Sequence, residues 1–122
     1  MAEDKDHIVR QVHRYYSCVD RGDIRGLLSL FSDDATYHRP GYAPIVGRAG
    51  LAAFYSTQRV IDEGRHTVRH VVRDHHQVAV WGDFCGTLRD GRAVQLKFAD
   101  FFTGCEHGLF KRRDTFFFAP MV

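Results

Sequence analysis

Apolar and aromatic residues open the chain in a helical rhythm. Over 4–19, Ile8, Val12, Tyr15 and Val19 recur at steps of four, three and four, with Tyr16 beside them, and this predicts an amphipathic helix. Gly22 ends it. Asp23 is a natural N-cap for a shorter second helix reaching Phe31, with Leu27, Leu28 and Phe31 as its inner face. Ser32, Asp33 and Asp34 read as a turn, residues 35–39 as a short strand, and Pro40, Gly41 and Pro44 as an irregular loop. After Gly47, the spacing of Leu51, Phe54, Tyr55, Gln58 and Ile61 predicts a third helix, stopped by Gly64.

The period then changes to two. His66, Val68, His70 and Val72 alternate with Thr67, Arg69, Val71 and Arg73, which predicts a strand turning near 74–76, and a second strand follows over 77–88. Asp90-Gly91 is a hairpin signal leading into a strand over 94–103, and 104–108 turns the chain into a last strand over 109–118. Three helices come first and a meander last. That order predicts an α+β fold, a single domain over 1–122 in which helices pack on one face of a curved, mainly antiparallel sheet and leave a pocket between the layers.

The strand over 94–103 carries the chemistry. Its alternation places Asp100 on one face with Val94, Leu96, Phe98 and Phe102, so a carboxyl group sits in an apolar row. A buried carboxylate without partners is costly, so Asp100 is expected either to be hydrogen-bonded and paired or to keep its proton. The plainer reading is a strand-end Asp that pairs with Lys97 or faces solvent.

The 122 residues suffice for one core, and ten Phe residues must pack into it. Net charge is +2 and the basic residues are dispersed, the one run being Lys111-Arg112-Arg113 on a strand whose residues face alternate ways, so nucleic acid is not expected as a partner. Three scattered cysteines, Cys18, Cys85 and Cys105, suggest neither a disulfide framework nor a zinc ribbon. With no signal-peptide pattern and no membrane-length apolar run, a cytoplasmic protein is expected.

The runs Arg14-Tyr15-Tyr16-Ser17-Cys18-Val19-Asp20-Arg21-Gly22-Asp23, Leu30-Phe31-Ser32-Asp33-Asp34-Ala35-Thr36, Ile45-Val46-Gly47-Arg48 and Ala52-Ala53-Phe54-Tyr55, in that order and followed by strands, resemble the ketosteroid isomerase and SnoaL-like branch of the nuclear transport factor 2 superfamily. The resemblance implies a cone-shaped α+β barrel, often a homodimer, whose apolar cavity holds a small organic ligand. It also implies that Tyr15 is the oxyanion-hole tyrosine, that Asp100 is its protonated partner, and that Tyr55 hydrogen-bonds the oxyanion tyrosine, while Phe31 replaces another network tyrosine. The family's general base does not carry over, because its position is Arg39, before Pro40. A guanidinium cannot abstract a proton at neutral pH.

Other residues could take the vacant role. His38 and Arg39 alternate on a short strand, so one of them faces the pocket: Arg39 would bind a carboxylate or stabilise an enolate, His38 would act as acid or base. Approximate alignment with the family places Trp81, Asp83 and Cys85 inward, making Asp83 a substitute base, and places Arg113, Thr115 and Phe117 inward on the last strand, where Arg113 would pair with Asp83 or Asp100 or hold an anion. The opposite face would carry Phe110, Phe116 and Phe118 beside Arg112 and Asp114, an aromatic patch that predicts a homodimer. His66 is expected at the pocket rim. His66 and His70 would chelate on a helix, but on a strand that spacing is about 13 Å, so no metal site is expected. No phosphate loop, nucleophile elbow or dinucleotide fingerprint is present, and no cofactor is expected.

The function expected is therefore a cofactor-independent isomerase, cyclase or dehydratase acting on a partly apolar carbonyl compound. Tyr15 and Asp100 would stabilise the oxyanion, Asp83 or His38 would move the proton, and Arg39, Tyr55, Trp81, Arg113, Phe117 and His66 would line the substrate pocket. The alternatives are an epoxide hydrolase using Asp83, Arg113 and Asp100, although the chain contains no Asn to position water, or a small-ligand-binding protein without chemistry.

Overall fold

The computed structural model describes residues 6–105 and 107–118. Helix α1 spans His7–Arg21 and buries Ile8, Val12, Tyr15, Tyr16, Cys18 and Val19; the expected start at residue 4 lies outside the described residues. Gly22 terminates it in the left-handed region at φ 72°, a conformation glycine adopts without steric cost. Asp23 caps α2 (Ile24–Leu28), its carboxylate accepting the Gly26 N–H at 2.9 Å.

That second helix is shorter than its apolar spacing implies. Phe31 is buried, but as the first residue of strand β1 (Phe31–His38), and its ring packs 5.4 Å from that of Phe110 on the neighbouring strand. Ser32, Asp33 and Asp34 are thus strand residues rather than a turn, with Asp33 held by Arg48 at 2.7 Å. Strand β2 (Ile45–Val46) leads into α3 (Gly47–Ala53), which widens into a single π turn over Phe54–Gln58. The third helix therefore stops well before Gly64, and Ile61 already belongs to strand β3 (Ile61–Asp74). Nor do the three helices precede the sheet as a block, since β1 and β2 intervene between α2 and α3.

Strands β4 (Gln77–Leu88), β5 (Ala93–Gly104) and β6 (Phe110–Phe118) complete a six-stranded sheet in the order β2-β1-β6-β5-β4-β3. Every pairing is antiparallel except β1 with β6. The inner face presents Val78, Val80 and Phe84 from β4 and Phe98, Asp100 and Phe102 from β5, all buried. Among the described residues, no helix is long and apolar enough to cross a membrane.

Two irregularities change which residues face inward. In β3 the pairing steps from Val68–Gly82 to His70–Trp81, leaving Arg69 as an extra residue. The alternation inverts there, so His66 packs against Phe84 at 4.7 Å on the inner side, while His70 stacks on Trp81 at 4.8 Å. Trp81 is 37% exposed and Asp83 is tied to Arg69 at 2.7 Å, so the expectation that these two β4 residues line the pocket is not met. The inner row of β4 is instead the one containing Val78, Val80 and Phe84, the more continuously apolar of the two. Gly82 lies against the bulge, where an added Cβ would collide with the Thr67 carbonyl oxygen. Gly82→Ala is expected to destabilise the fold by about 1–3 kcal/mol, read as a lowered urea midpoint.

The second irregularity is in β6. Thr103 pairs with Arg112 but Gly104 pairs with Phe110, so Lys111 is passed over. Phe110 consequently lies in the core at 0% exposure, 4.8 Å from the Phe102 ring, rather than on the outer face with Phe116 and Phe118.

Candidate functional site

Asp100 lies at the centre of the inner face and is fully buried. Its Oδ2 accepts hydrogen bonds from the Tyr16 hydroxyl and from Arg113 Nη2, the latter at 2.8 Å, and its Oδ1 accepts from Thr115 Oγ1. The sheet register explains these contacts: Thr115 is the residue directly opposite Asp100 on β6, and Arg113, two residues earlier, shares its face. Both carboxylate oxygens are thus engaged as acceptors beside a matching cation, the condition under which a buried charge is tolerated.

Arg113 is 4% exposed and lies between two rings, its guanidinium carbon 4.5 Å from the Tyr15 centroid and 4.4 Å from that of Tyr37. Burial opposes its charge, but Asp100 first and then the surrounding tyrosines outweigh this and hold it firmly protonated. Its Nη1 donates to Tyr55 OH at 3.2 Å, and Tyr55 OH is in turn hydrogen-bonded to Tyr15 OH. Thr115 Oγ1 is also 3.2 Å from Tyr37 OH, and since the single Thr115 proton goes to Asp100, Tyr37 donates to Thr115.

Burial raises the pKa of Tyr15 well above the ordinary tyrosine range, that of Tyr16 likewise, and pushes that of Tyr55 up to about 12. All three remain hydroxyl donors at neutral pH. Tyr15 and Tyr55 carry two protons, and their mutual bond uses one. The other is available to an oxygen in the pocket, backed by the Arg113 charge.

A narrow pocket, with a free interior of about 20 Å³ and about 390 Å³ when the open space at its mouth is included, lies beside this network. Val19, Ile61, Phe84, Leu96, Phe98 and Phe117 supply its apolar walls, and Tyr15, Tyr55, Asp100, Arg113 and Thr115 a polar end. Arg39, Arg59 and His66 complete the lining. Strand β1 ends at His38, and of the two candidates it is Arg39, just past that end, that lines the pocket. His38 points elsewhere, 3.4 Å from Asp114 across β6, so its expected place as the proton-transferring group is not met.

His66 has a more specific environment than a rim position would give it. Asp20, one helical turn after Tyr16, takes the His66 backbone N–H at 2.9 Å on Oδ2 and contacts His66 Nδ1 at 2.7 Å through Oδ1. The ring lies 5.0 Å from Tyr16, 4.7 Å from Phe84 and 5.3 Å from Phe98. Desolvation lowers the His66 pKa below its ordinary value, and the bond to Asp20 only partly restores it. A histidine whose folded pKa is depressed adds stability that is fully present above the unfolded value, near 6.5, and is lost as pH falls through the folded one. Urea titrations between about pH 7 and pH 5 should show the wild type losing stability more steeply than His66→Gln.

Tyr15, Tyr55, Arg113, Asp100, Phe117, Arg39 and His66 thus converge as expected, and Trp81, Asp83 and His38 do not. Tyr16, Asp20, Tyr37, Arg59 and Thr115 have places in or behind the site beyond the roles expected from the sequence. The i, i+4 spacing of Tyr16 and Asp20 on one helix face was the available signal for two of them. Among the described residues, no three His, Cys, Asp or Glu side chains cluster as a metal site.

A family model described as a SnoaL-like domain matches residues 12–113. Among solved structures, the chain is similar to SalBIII, an epoxide hydrolase/cyclase-like enzyme in pyran ring formation in the polyether salinomycin, at TM-score 0.83 and 21% identity, covering 94% of this chain and 93% of that one. It is similar to an epoxide hydrolase of M. tuberculosis at TM-score 0.82 and 15% identity, over 95% and 86% of the two chains. A ketosteroid isomerase-like protein from Erwinia carotovora atroseptica matches at TM-score 0.74 and 21% identity, over 98% and 100%. At these identities the likeness is one of fold.

Proposed function

Because the chain belongs to the SnoaL-like domain family, in the ketosteroid isomerase and SnoaL-like branch of the nuclear transport factor 2-like superfamily, we propose that it is an isomerase, cyclase or dehydratase working by acid/base chemistry on a small, partly apolar carbonyl compound. One observation carries this reading: the pocket wall holds His66, desolvated and with Asp20 on its Nδ1. Asp20 fixes the tautomer that leaves Nε2 as the basic nitrogen, so His66 takes the place of the base that Arg39 cannot be. His66 removes a proton from the carbon next to the carbonyl. The Tyr15–Tyr55 pair donates its spare proton to the developing enolate oxygen, Arg113 supplies positive charge behind it, and the His66 imidazolium returns the proton at another carbon or to a leaving group. Asp100 anchors Arg113 and Tyr16 rather than donating to the substrate, since both its oxygens already accept.

Epoxide hydrolysis by an Asp-Arg-Asp set is less well supported, because Asp83 lies on the other face and, among the described residues, no second carboxylate lines the pocket beside Asp100 and Arg113. The test is carbon–hydrogen exchange. A panel of enolisable ketones and aldehydes incubated in heavy water with the protein should include at least one that gains deuterium next to its carbonyl faster than in buffer. A panel without such a compound overturns the reading.

We also propose that a second copy covers the outer sheet face, where Phe101, Phe116 and Phe118 are 47%, 53% and 60% exposed and the Phe101 and Phe116 rings touch edge to face. Sedimentation at micromolar concentration is expected to give twice the chain mass, and Phe116→Glu to give a monomer.

A further inference from the structure

Among the described residues, three guanidinium groups line the pocket, on Arg39, Arg59 and Arg113, against one carboxylate, Asp100. Arg113 is matched to that carboxylate at 2.8 Å. Among the described residues, neither Arg39 nor Arg59 has a carboxylate within ion-pair distance, and the Nε of each is buried without a hydrogen-bond acceptor. Guanidinium stays charged at any physiological pH, so this positive charge cannot be relieved by losing a proton.

Arg39 is the more confined of the two. Its guanidinium carbon lies 5.5 Å from the Tyr42 ring centroid, 5.4 Å from Phe54 and 5.3 Å from Phe117. Aromatic faces stabilise the cation but accept nothing in the guanidinium plane. Among the described residues, its guanidinium makes one hydrogen bond, a long one of 3.4 Å to Tyr37 OH. Arg59 adds a second charge at the pocket wall, its guanidinium carbon 5.7 Å from the Tyr55 ring. Two cations without counter-ions and buried donors without acceptors describe a site that lacks one component, a planar anion of carboxylate shape that the guanidinium fork would grip through paired N–H donors. The walls beyond are aliphatic and aromatic.

We infer that the ligand of this pocket is an acid: a flat, largely apolar molecule whose carboxylate, or enolate of like charge, binds Arg39, with Arg59 adding to the attraction. The inference names the substrate class of the proposed site and rests on this pocket being where substrate binds. It does not require that turnover follow.

Calorimetric titration with benzoate, phenylacetate and 2-naphthoate, each beside its primary amide, tests it. At least one acid should bind about tenfold or more tightly than its amide, and the preference should shrink as salt is added. Arg39→Gln should abolish the preference, Arg59→Gln should reduce it, and Arg39→Lys, which keeps the charge but not the fork, should retain part of it. Amides that bind as well as their acids, or a preference unchanged in folded Arg39→Gln, would overturn the inference, as would an absence of acid binding tighter than about 1 mM. The readout is binding, so a protein that prefers acids yet catalyses no deuterium exchange would refute the proposed chemistry alone.

Discussion

Replacing Asp100 by alanine is expected to lower folding stability by about 3–5 kcal/mol. The change removes the counter-charge of a guanidinium that is 4% exposed and sandwiched between tyrosine rings, and it also strands the hydroxyl protons of Tyr16 and Thr115. Arg113 cannot neutralise itself, so the folded state must keep an uncompensated ion or admit water. Urea unfolding of the purified variant measures the loss. An Asp100→Leu/Arg113→Met double variant is expected to regain much of it, because a buried pair is less damaging when removed whole than when halved. The outer pair Arg112–Asp114 is the internal contrast: its ion contact of 2.9 Å joins side chains 53% and 23% exposed in the single chain, and in a monomeric Phe116→Glu background Asp114→Ala should change stability by less than about 1 kcal/mol. A loss below about 1 kcal/mol for Asp100→Ala as well would mean that the network contributes nothing particular to the fold.

The second large effect concerns His66. With a compound that the exchange assay identifies, His66→Gln should lower kcat by about 10²–10⁴, since glutamine fills similar space but cannot carry a proton. Asp20→Asn should lower it too, by disturbing the tautomer, while leaving the pocket lining in place. The pH dependence separates chemistry from packing. In the wild type, kcat/KM should fall on the acid side with a pKa below the ordinary histidine value, and in Asp20→Asn that limb should move further down, because the bond to Asp20 is what raises the pKa against desolvation. An unchanged acid limb in His66→Gln would assign the proton transfer to another group.

The parts of this molecule that were legible in its sequence are those governed by local periodicity. Helix α1, its stop at Gly22, the Asp23 cap and the β3–β4–β5–β6 meander all follow from spacing and from turn residues. Asp100 announced itself as a carboxyl group in an apolar row, and the family resemblance brought Tyr15 and Tyr55 to it. What escaped depended on contacts between distant segments. Phe31 reads as the last apolar residue of a helix, and only a parallel strand supplied from eighty residues away makes it a strand residue. Trp81 and Asp83 read as inward by approximate alignment, but β4 alternates regularly against β5 and turns the row containing Val78, Val80 and Phe84 inward instead. Asp20 finds its role only when β3 brings His66 against it.

The passed-over residue in β6 separates two demands that a regular strand could not meet together. Phe110 and Arg113 are three positions apart, an odd number, yet both point inward, one filling the core and the other serving the pocket. Lys111 takes up the odd step, and its exposed side chain is open to exchange for almost any other. What matters is the bulge: drawn into a regular ladder at the same chain length, the segment would have to turn either Phe110 to solvent or Arg113 and Thr115 away from Asp100. Removing the residue altogether would instead leave Phe110 and Arg113 two positions apart and on one face, so a deletion here is expected to be tolerated where a straightening of the strand is not.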